Sequence, residues 1–233
     1  IRRPPRSTRK ESSAASDVYK RQILSLLDDL ALQKISILKV DKNKLDQLSN
    51  GETHQGVISE IIMPTFPGEK ILIESIKNSS KKPLVLILDS IQDPRNLGAC
   101  LRSANAAGVD FVIINKDGSA PINSLVYKAS AGAINSLQIF LVTNIVRTIK
   151  AIQNEGIWVI GLDGNATTSI YDVNLADSTA IVMGSEGKGI RQLIKKTCDQ
   201  LVIIPMSGNI ESLNVSVATG IALFESMRQR KTS

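Results

Sequence analysis

Residues 183–190 read MGSEGKGI, three glycines around one glutamate and one lysine, directly after the apolar run TAIVM. Glycines lacking Cβ atoms let a flat or phosphorylated ligand approach backbone N–H groups. A triphosphate-binding loop needs G-x-x-x-x-G-K and then Ser or Thr, whose hydroxyl holds magnesium. Here Gly189 follows Lys188, and the gap from Gly184 to Gly187 is too short. The dinucleotide pattern G-x-G-x-x-G is absent as well. What remains is a set of open N–H groups beside one carboxylate, Glu186. A plain strand-to-helix turn with Glu186 and Lys188 in solvent fits the same residues.

Two further clusters carry amides, hydroxyls and a guanidinium. In DSIQDPRNLGACLRSANAAG, residues 89–108, Asp89 ends an apolar run and Asn96 is placed to cap a helix. Leu97, Leu101 and Ala104 follow at helical spacing, with Arg102 and Asn105 on the more polar side. Spacing alone fits a capped, partly buried helix; the functional reading is polar groups projecting from a strand end into a crevice. In IIPMSGNIESLNVSVATGIALFE, residues 203–225, a strand ends at Pro205 and a helix begins near Asn214. Ser212, Asn214 and Ser216 crowd that start, and one capping side chain would suffice. The surplus of polar groups marks a site.

The elements that must position these clusters are legible after Pro83. Apolar runs LVLILD, FVIIN, LQIFLV, IWVIGLD, AIVMG and LVIIPM alternate with helical stretches NLGACLRSANAAG, NSLVYKASAGA, NIVRTIKAIQNEG and IRQLIKKTCD. A last helix is expected in SVATGIALFESMRQR. Runs buried on both faces, alternating with helices, predict a parallel α/β sheet. Before Pro83 the pattern is weaker. Residues 23–40 read as a helix running toward a short strand, KNKLDQLSN as a helical turn closed by Asn-Gly, HQGVISEIIM as a strand and ILIESIK as a short helix.

The chain has 233 residues, 42% of them hydrophobic, which suffices for a buried core. No apolar run approaches a membrane-spanning length. The net charge is +6, but residues 1–22 hold seven Lys and Arg against two acids, leaving only one net positive charge beyond them. That Arg-, Ser- and Pro-rich opening lacks periodicity, resembles a translated adapter sequence, and is set aside as a non-native leader. RNA affinity would then come from a local patch, with Arg102 and the terminal RQRKTS as candidates. The single histidine, His54, excludes a Ser-His-Asp triad or a His-based metal site in the C-terminal half. Cys100 and Cys198 lack C-x-x-C partners and read as buried thiols in a reducing cytosol.

Together the three clusters resemble the SpoU branch of the knotted SPOUT RNA methyltransferases. Asn96, Gly98 and Arg102 match its N-x-G-x-x-x-R motif, residues 183–189 its M-G-x-E-G-x-G motif, and residues 204–218 its I-P-M…S-L-N-V-S-V-A motif. The resemblance covers about residues 84–230. LDQLSNGETHQGV also looks like the end of a ribosomal-protein-L30-like domain found in members that act on 23S rRNA. The resemblance implies a SPOUT-type α/β fold with a parallel sheet and C-terminal trefoil knot, preceded by a truncated L30e-like α/β domain. The expected organisation is leader 1–22, partial substrate-binding domain 23–62, linker 63–83 and methyltransferase domain 84–233.

It further implies S-adenosyl-L-methionine as cofactor, with Gly184, Ile204 and Leu213 contacting it and Gly187 and Met206 nearby. Asn96, Arg102, Glu186, Ser212 and Asn214 would be the catalytic residues, with no metal required. The implied reaction is 2'-O-ribose methylation of a guanosine in 23S rRNA by a cytoplasmic homodimer. A tRNA enzyme of the same family and a noncatalytic RNA-binding or ribosome-assembly module are the rival readings.

Overall fold

The computed structural model describes residues 27, 36–51, 54, 56–60, 62–210 and 212–232. Two compact units divide at Ile62 and Met63. The leader read over 1–22, and the helix read over 23–40 up to residue 35 apart from Leu27, lie outside the described residues.

In the first unit, α1 (Lys42–Leu48) begins where the Asp41 carboxylate accepts from Lys44 N at 2.8 Å. Asn50 and Gly51, both at positive φ, close it as the Asn-Gly pair predicts. The strand expected over HQGVISEIIM does not form among the described residues of that stretch. A strand exists only by pairing, and the backbone bond here is a local turn from Val57 N to His54 O.

The second unit is a three-layer α/β/α arrangement. Its sheet has β1 (Leu84–Leu88), β2 (Phe111–Asn115), β3 (Gln138–Val142), β4 (Trp158–Leu162), β5 (Thr179–Met183) and β6 (Gln200–Val202). The order is β3-β2-β1-β5-β4-β6 and every pair is parallel. Register places Leu86 between Val112 and Ile181. Side chains alternate across the sheet. Leu84, Leu86 and Leu88 join α3 (Pro94–Ala106) and α7 (Val215–Thr232) through Leu97, Leu101 and Leu223. Val85 and Ile87 face the other way, onto Ile145, Ile149 and Ile152 of α5 (Ile145–Asn154). Burial on both faces explains the unbroken apolar runs.

The remaining helices are α2 (Glu69–Lys77), α4 (Ser124–Ser130) and α6 (Gln192–Lys195). Residues 63–83, expected to be a linker, contain α2, whose Leu72 and Ile76 are buried with the α5 cluster. The expected strand LVIIPM shortens to β6, and Ile203 adds only an isolated bridge to Ser169.

α3 packs closely on α4: a Cβ on Gly98 would sit 2.5 Å from Ala129 Cβ and 2.8 Å from the Val126 carbonyl. The C-terminal arginines also serve the fold. Arg230 donates to the carbonyls of Lys82 at 2.7 Å, Pro83 at 3.2 Å, Asp177 at 2.5 Å and Leu175 at 3.2 Å. Arg228 pairs with Glu225 at 2.7 Å.

Candidate active site

In open parallel sheets ligands bind outside the carboxyl ends of strands, where successive connections leave in opposite directions. Here that point lies between β1, which leads through α3 to β2, and its neighbour β5, which leads through α6 to β6 on the other side. A cleft of about 460 Å³ opens there, lined by Ile91, Gln92, Asp93, Asn96, Ser185, Glu186 and Lys188.

The sequence placed Asn96 as the helix cap. The structure gives that role to Asp93, which accepts from Arg95 N at 2.8 Å, with Pro94 in the first turn. Asn96 therefore sits inside the first turn with its amide free for other work. Its Nδ2 donates to Glu186 Oε1 at 2.6 Å. Asn214 Nδ2 donates to the same oxygen at 2.8 Å and to Asn96 Oδ1 at 3.1 Å. Asn214 is also the cap of α7, since its Oδ1 accepts from Ser216 N at 2.9 Å and Ser216 Oγ at 2.6 Å. Residues from all three sequence clusters thus meet at one carboxylate.

The glycine loop is a tight excursion between β5 and α6. Ser185 and Gly189 exchange backbone bonds of 3.1 and 2.8 Å, and Gly187 and Gly189 take positive φ. Gly184 is required by close approach: a Cβ there would fall inside the backbone of Gly189 and Ile190. The space above Gly184 is thus filled by the loop's own return. Gly187 is exposed, and nothing lies within 4 Å of its Cβ position.

Sequence reasoning took Asp89 only as a strand end and missed Arg191. Asp89 is fully buried, and Arg191 binds it through backbone N at 3.3 Å, Nε at 2.9 Å and Nη2 at 2.7 Å. This pair ties the loop's far end to β1. A carboxylate ending a buried strand was the available signal, because a buried charge needs a partner.

Arg102 and Ser212 are not brought to the Glu186 cluster. Arg102 is exposed and makes no hydrogen bond or ion pair among the described residues. Six helical positions carry it about 240° around α3 from Asn96. Ser212 is exposed, while Ile204, Met206 and Leu213 are half-buried. Those three retain exposed apolar surface of the kind an adenosyl group would cover, and Glu186, which lines the cleft, carries a charge opposite to a sulfonium's. The residues present therefore fit the expected cofactor.

Burial pushes Cys100 up to about 11, despite a contact with Thr219 Oγ1, and Cys198 up to about 12.

Comparison with known proteins decides the family. The SpoU rRNA Methylase family model matches residues 83–224, and an RNA 2'-O ribose methyltransferase substrate-binding model matches residues 10–67. The chain belongs to the SpoU rRNA methylase family. This SpoU protein is 47% identical to the 23S rRNA (guanosine-2'-O-)-methyltransferase RlmB of Haemophilus ducreyi, over 90% of this chain and 85% of that one. The Escherichia coli RlmB is 43% identical over 90% and 86%. Among solved structures, the SpoU methyltransferase AviRb from Streptomyces viridochromogenes, in complex with AdoMet, superposes with a TM-score of 0.64 at 26% identity, covering 72% of this chain and 67% of that one.

Proposed function

We propose that this SpoU protein transfers a methyl group from S-adenosyl-L-methionine to the ribose 2'-hydroxyl of a guanosine in 23S rRNA. The observation that carries the reading is the convergence of Asn96, Glu186 and Asn214 at the strand-switch cleft. Likeness to RlmB relatives over 85% of their length supplies the substrate.

Bound S-adenosyl-L-methionine supplies a methyl group already activated on a sulfonium, so the protein's task is mainly alignment of an oxygen with that carbon. Asn96 and Asn214 hold Glu186 in one orientation, and together they set the rim against which the ribose rests. Ile204, Met206, Leu213 and the backbone from Ser185 to Gly187 form the cofactor side. The 2'-hydroxyl proton leaves to water, and Arg102 acts through its positive charge and its planar fork of donors. Its role is to bind phosphate and to stabilise the developing alkoxide, with Ser212 as a further positioning contact. The 2'-hydroxyl target selects RNA over DNA.

A homodimer completes this account. Arg102 is unpartnered within its chain among the described residues, and Val217, Ile221 and Phe224 form an apolar stripe on α7 with Val217 and Phe224 exposed. A second copy on this side would cover the stripe and receive Arg102. The trefoil knot, an L30e-like character of the segment before residue 63 and a cytoplasmic setting belong to the same reading. Among the described residues no helix is long and apolar enough to cross a membrane.

The test is radiolabelled methyl transfer to unmodified 23S rRNA, with tRNA alongside and Arg102→Ala as control. Label in 23S rRNA that the control loses is the expected result. Label in tRNA alone would reassign the substrate, and absence of cofactor binding would overturn the enzyme.

A further inference from the structure

A second cleft, of about 320 Å³, opens at the carboxyl ends of β2 and β3. Its walls are mostly apolar and include Phe66, Ile114, Ile122 and Leu141, with exposed Lys116 among the lining residues. One amide lines it, Asn115, which is 5% exposed. The Asn115 amide N–H donates to the Asp117 carbonyl, but its Oδ1 has no partner. Ser119 Oγ, four residues on in the same loop, is also buried and unpartnered. A buried acceptor without a donor is costly, and a native structure keeps one where something else supplies the donor.

The second cleft shares a wall with the first. Ala120, which lines it, donates from its backbone N to the carbonyl of Ile91 at 2.8 Å, and Ile91 lines the cleft of the Glu186 cluster. Gly118 in the same loop comes within 3.8 Å of Ser90 Oγ, measured from its Cβ position, and that hydroxyl donates to Asp89. A nucleoside whose ribose sits in the first cleft therefore has a neighbouring slot for its base.

We propose that this second cleft holds the guanine base of the methylated nucleoside, with the Asn115 side chain as its specificity-determining group. The inference rests on the proposed 2'-O-methyltransferase function. The chemistry matches on three counts. A base is flat, with apolar faces that suit Phe66, Ile122 and Leu141, and protein sites for RNA bases use such stacking surfaces. Guanine presents two adjacent donors on its Watson–Crick edge, N1–H and the 2-amino group, which complement an acceptor lacking a donor, whereas adenine presents an acceptor at N1 and a single donor at its 6-amino group. The Lys116 ammonium matches the adjoining phosphate charge. The base enters the slot unstacked from its neighbours, as enzymes that act on single nucleotides require.

The experiment uses the full chain and a short RNA spanning the nucleoside located by nuclease mapping, made with guanosine or adenosine there. Steady-state kcat/KM, RNA affinity by fluorescence anisotropy, cofactor affinity and melting temperature are measured. Wild type is expected to prefer guanosine by at least about fivefold, the worth of one hydrogen bond. Asn115→Ala should collapse that ratio toward one. Ile122→Trp, which fills the slot and leaves Asn115 itself in place, should raise KM for RNA about tenfold with cofactor affinity unchanged, the melting temperature showing that the variant is folded. Ile122→Trp with normal RNA affinity and KM, or an undiminished guanosine preference in folded Asn115→Ala, would overturn the slot alone. No methyl transfer by wild type onto 23S rRNA would overturn the underlying function and the slot with it.

Discussion

Asn214 does two jobs that one substitution can separate. Its Oδ1 caps α7, and its Nδ2 donates to Glu186 and Asn96. Asn214→Ser keeps a good capping oxygen and removes the amide donor. Two hydrogen bonds at about 1 kcal/mol each then leave the cluster. If they act by fixing Glu186 for alignment, kcat falls about thirtyfold, since 1.36 kcal/mol is tenfold in rate. Asn214→Ala loses the cap as well, about 1 kcal/mol of stability, which in a chain of this size lowers the melting temperature by roughly 2–4 °C. The assay is single-turnover methyl transfer at saturating cofactor, alongside thermal melting of both variants. Asn96→Ala combined with Asn214→Ser should cost less than the sum of the two, because both serve one carboxylate. A Ser variant within about threefold of wild type, or strictly additive losses, would refute the network.

Gly98→Ala should destabilise by about 1–3 kcal/mol in urea unfolding, because the added methyl meets Ala129 and the Val126 carbonyl at the α3–α4 contact. Arg230→Ala strips four carbonyls of a shared donor and should cost about 2–4 kcal/mol, with methyl transfer intact well below the melting point. Arg230→Lys should rescue little, since one ammonium does not reproduce a planar fork. Burial raises both thiols, to about 11 for Cys100 and about 12 for Cys198. Their contribution to stability is complete below the unfolded thiol value of about 8.5 and is lost as pH rises through 11 and 12. Replacing both by Ala should flatten that part of the stability profile above pH 9, read from urea midpoints.

The sheet was legible because each strand is buried on both faces and so reads as an unbroken apolar run between helices. The strand read over HQGVISEIIM failed because β-branched composition cannot supply a pairing partner. Asn96 was misassigned as a cap because Asp93 and Asn96 are both good capping residues, and only the start of α3 at Pro94 decides between them. Of the polar groups before α7, Asn214 both caps the helix and bonds to Glu186 and Asn96. The Asp89–Arg191 pair spans 102 positions, so no local spacing announced it. The structural part played by Arg230 was not legible, because its four acceptors are backbone carbonyls, which a sequence does not display. The position of Arg102, away from Glu186, follows from helical geometry and was available from the six-residue spacing.

The proposed role of the cluster at Glu186 is methylation of a ribose oxygen. The most direct measurement is complete nuclease digestion of 23S rRNA labelled by this chain, followed by mass spectrometry of the nucleosides. The expected labelled product is 2'-O-methylguanosine, absent from a Glu186→Ala reaction. Label on a base instead of a ribose, or an undiminished yield from Glu186→Ala, would contradict it.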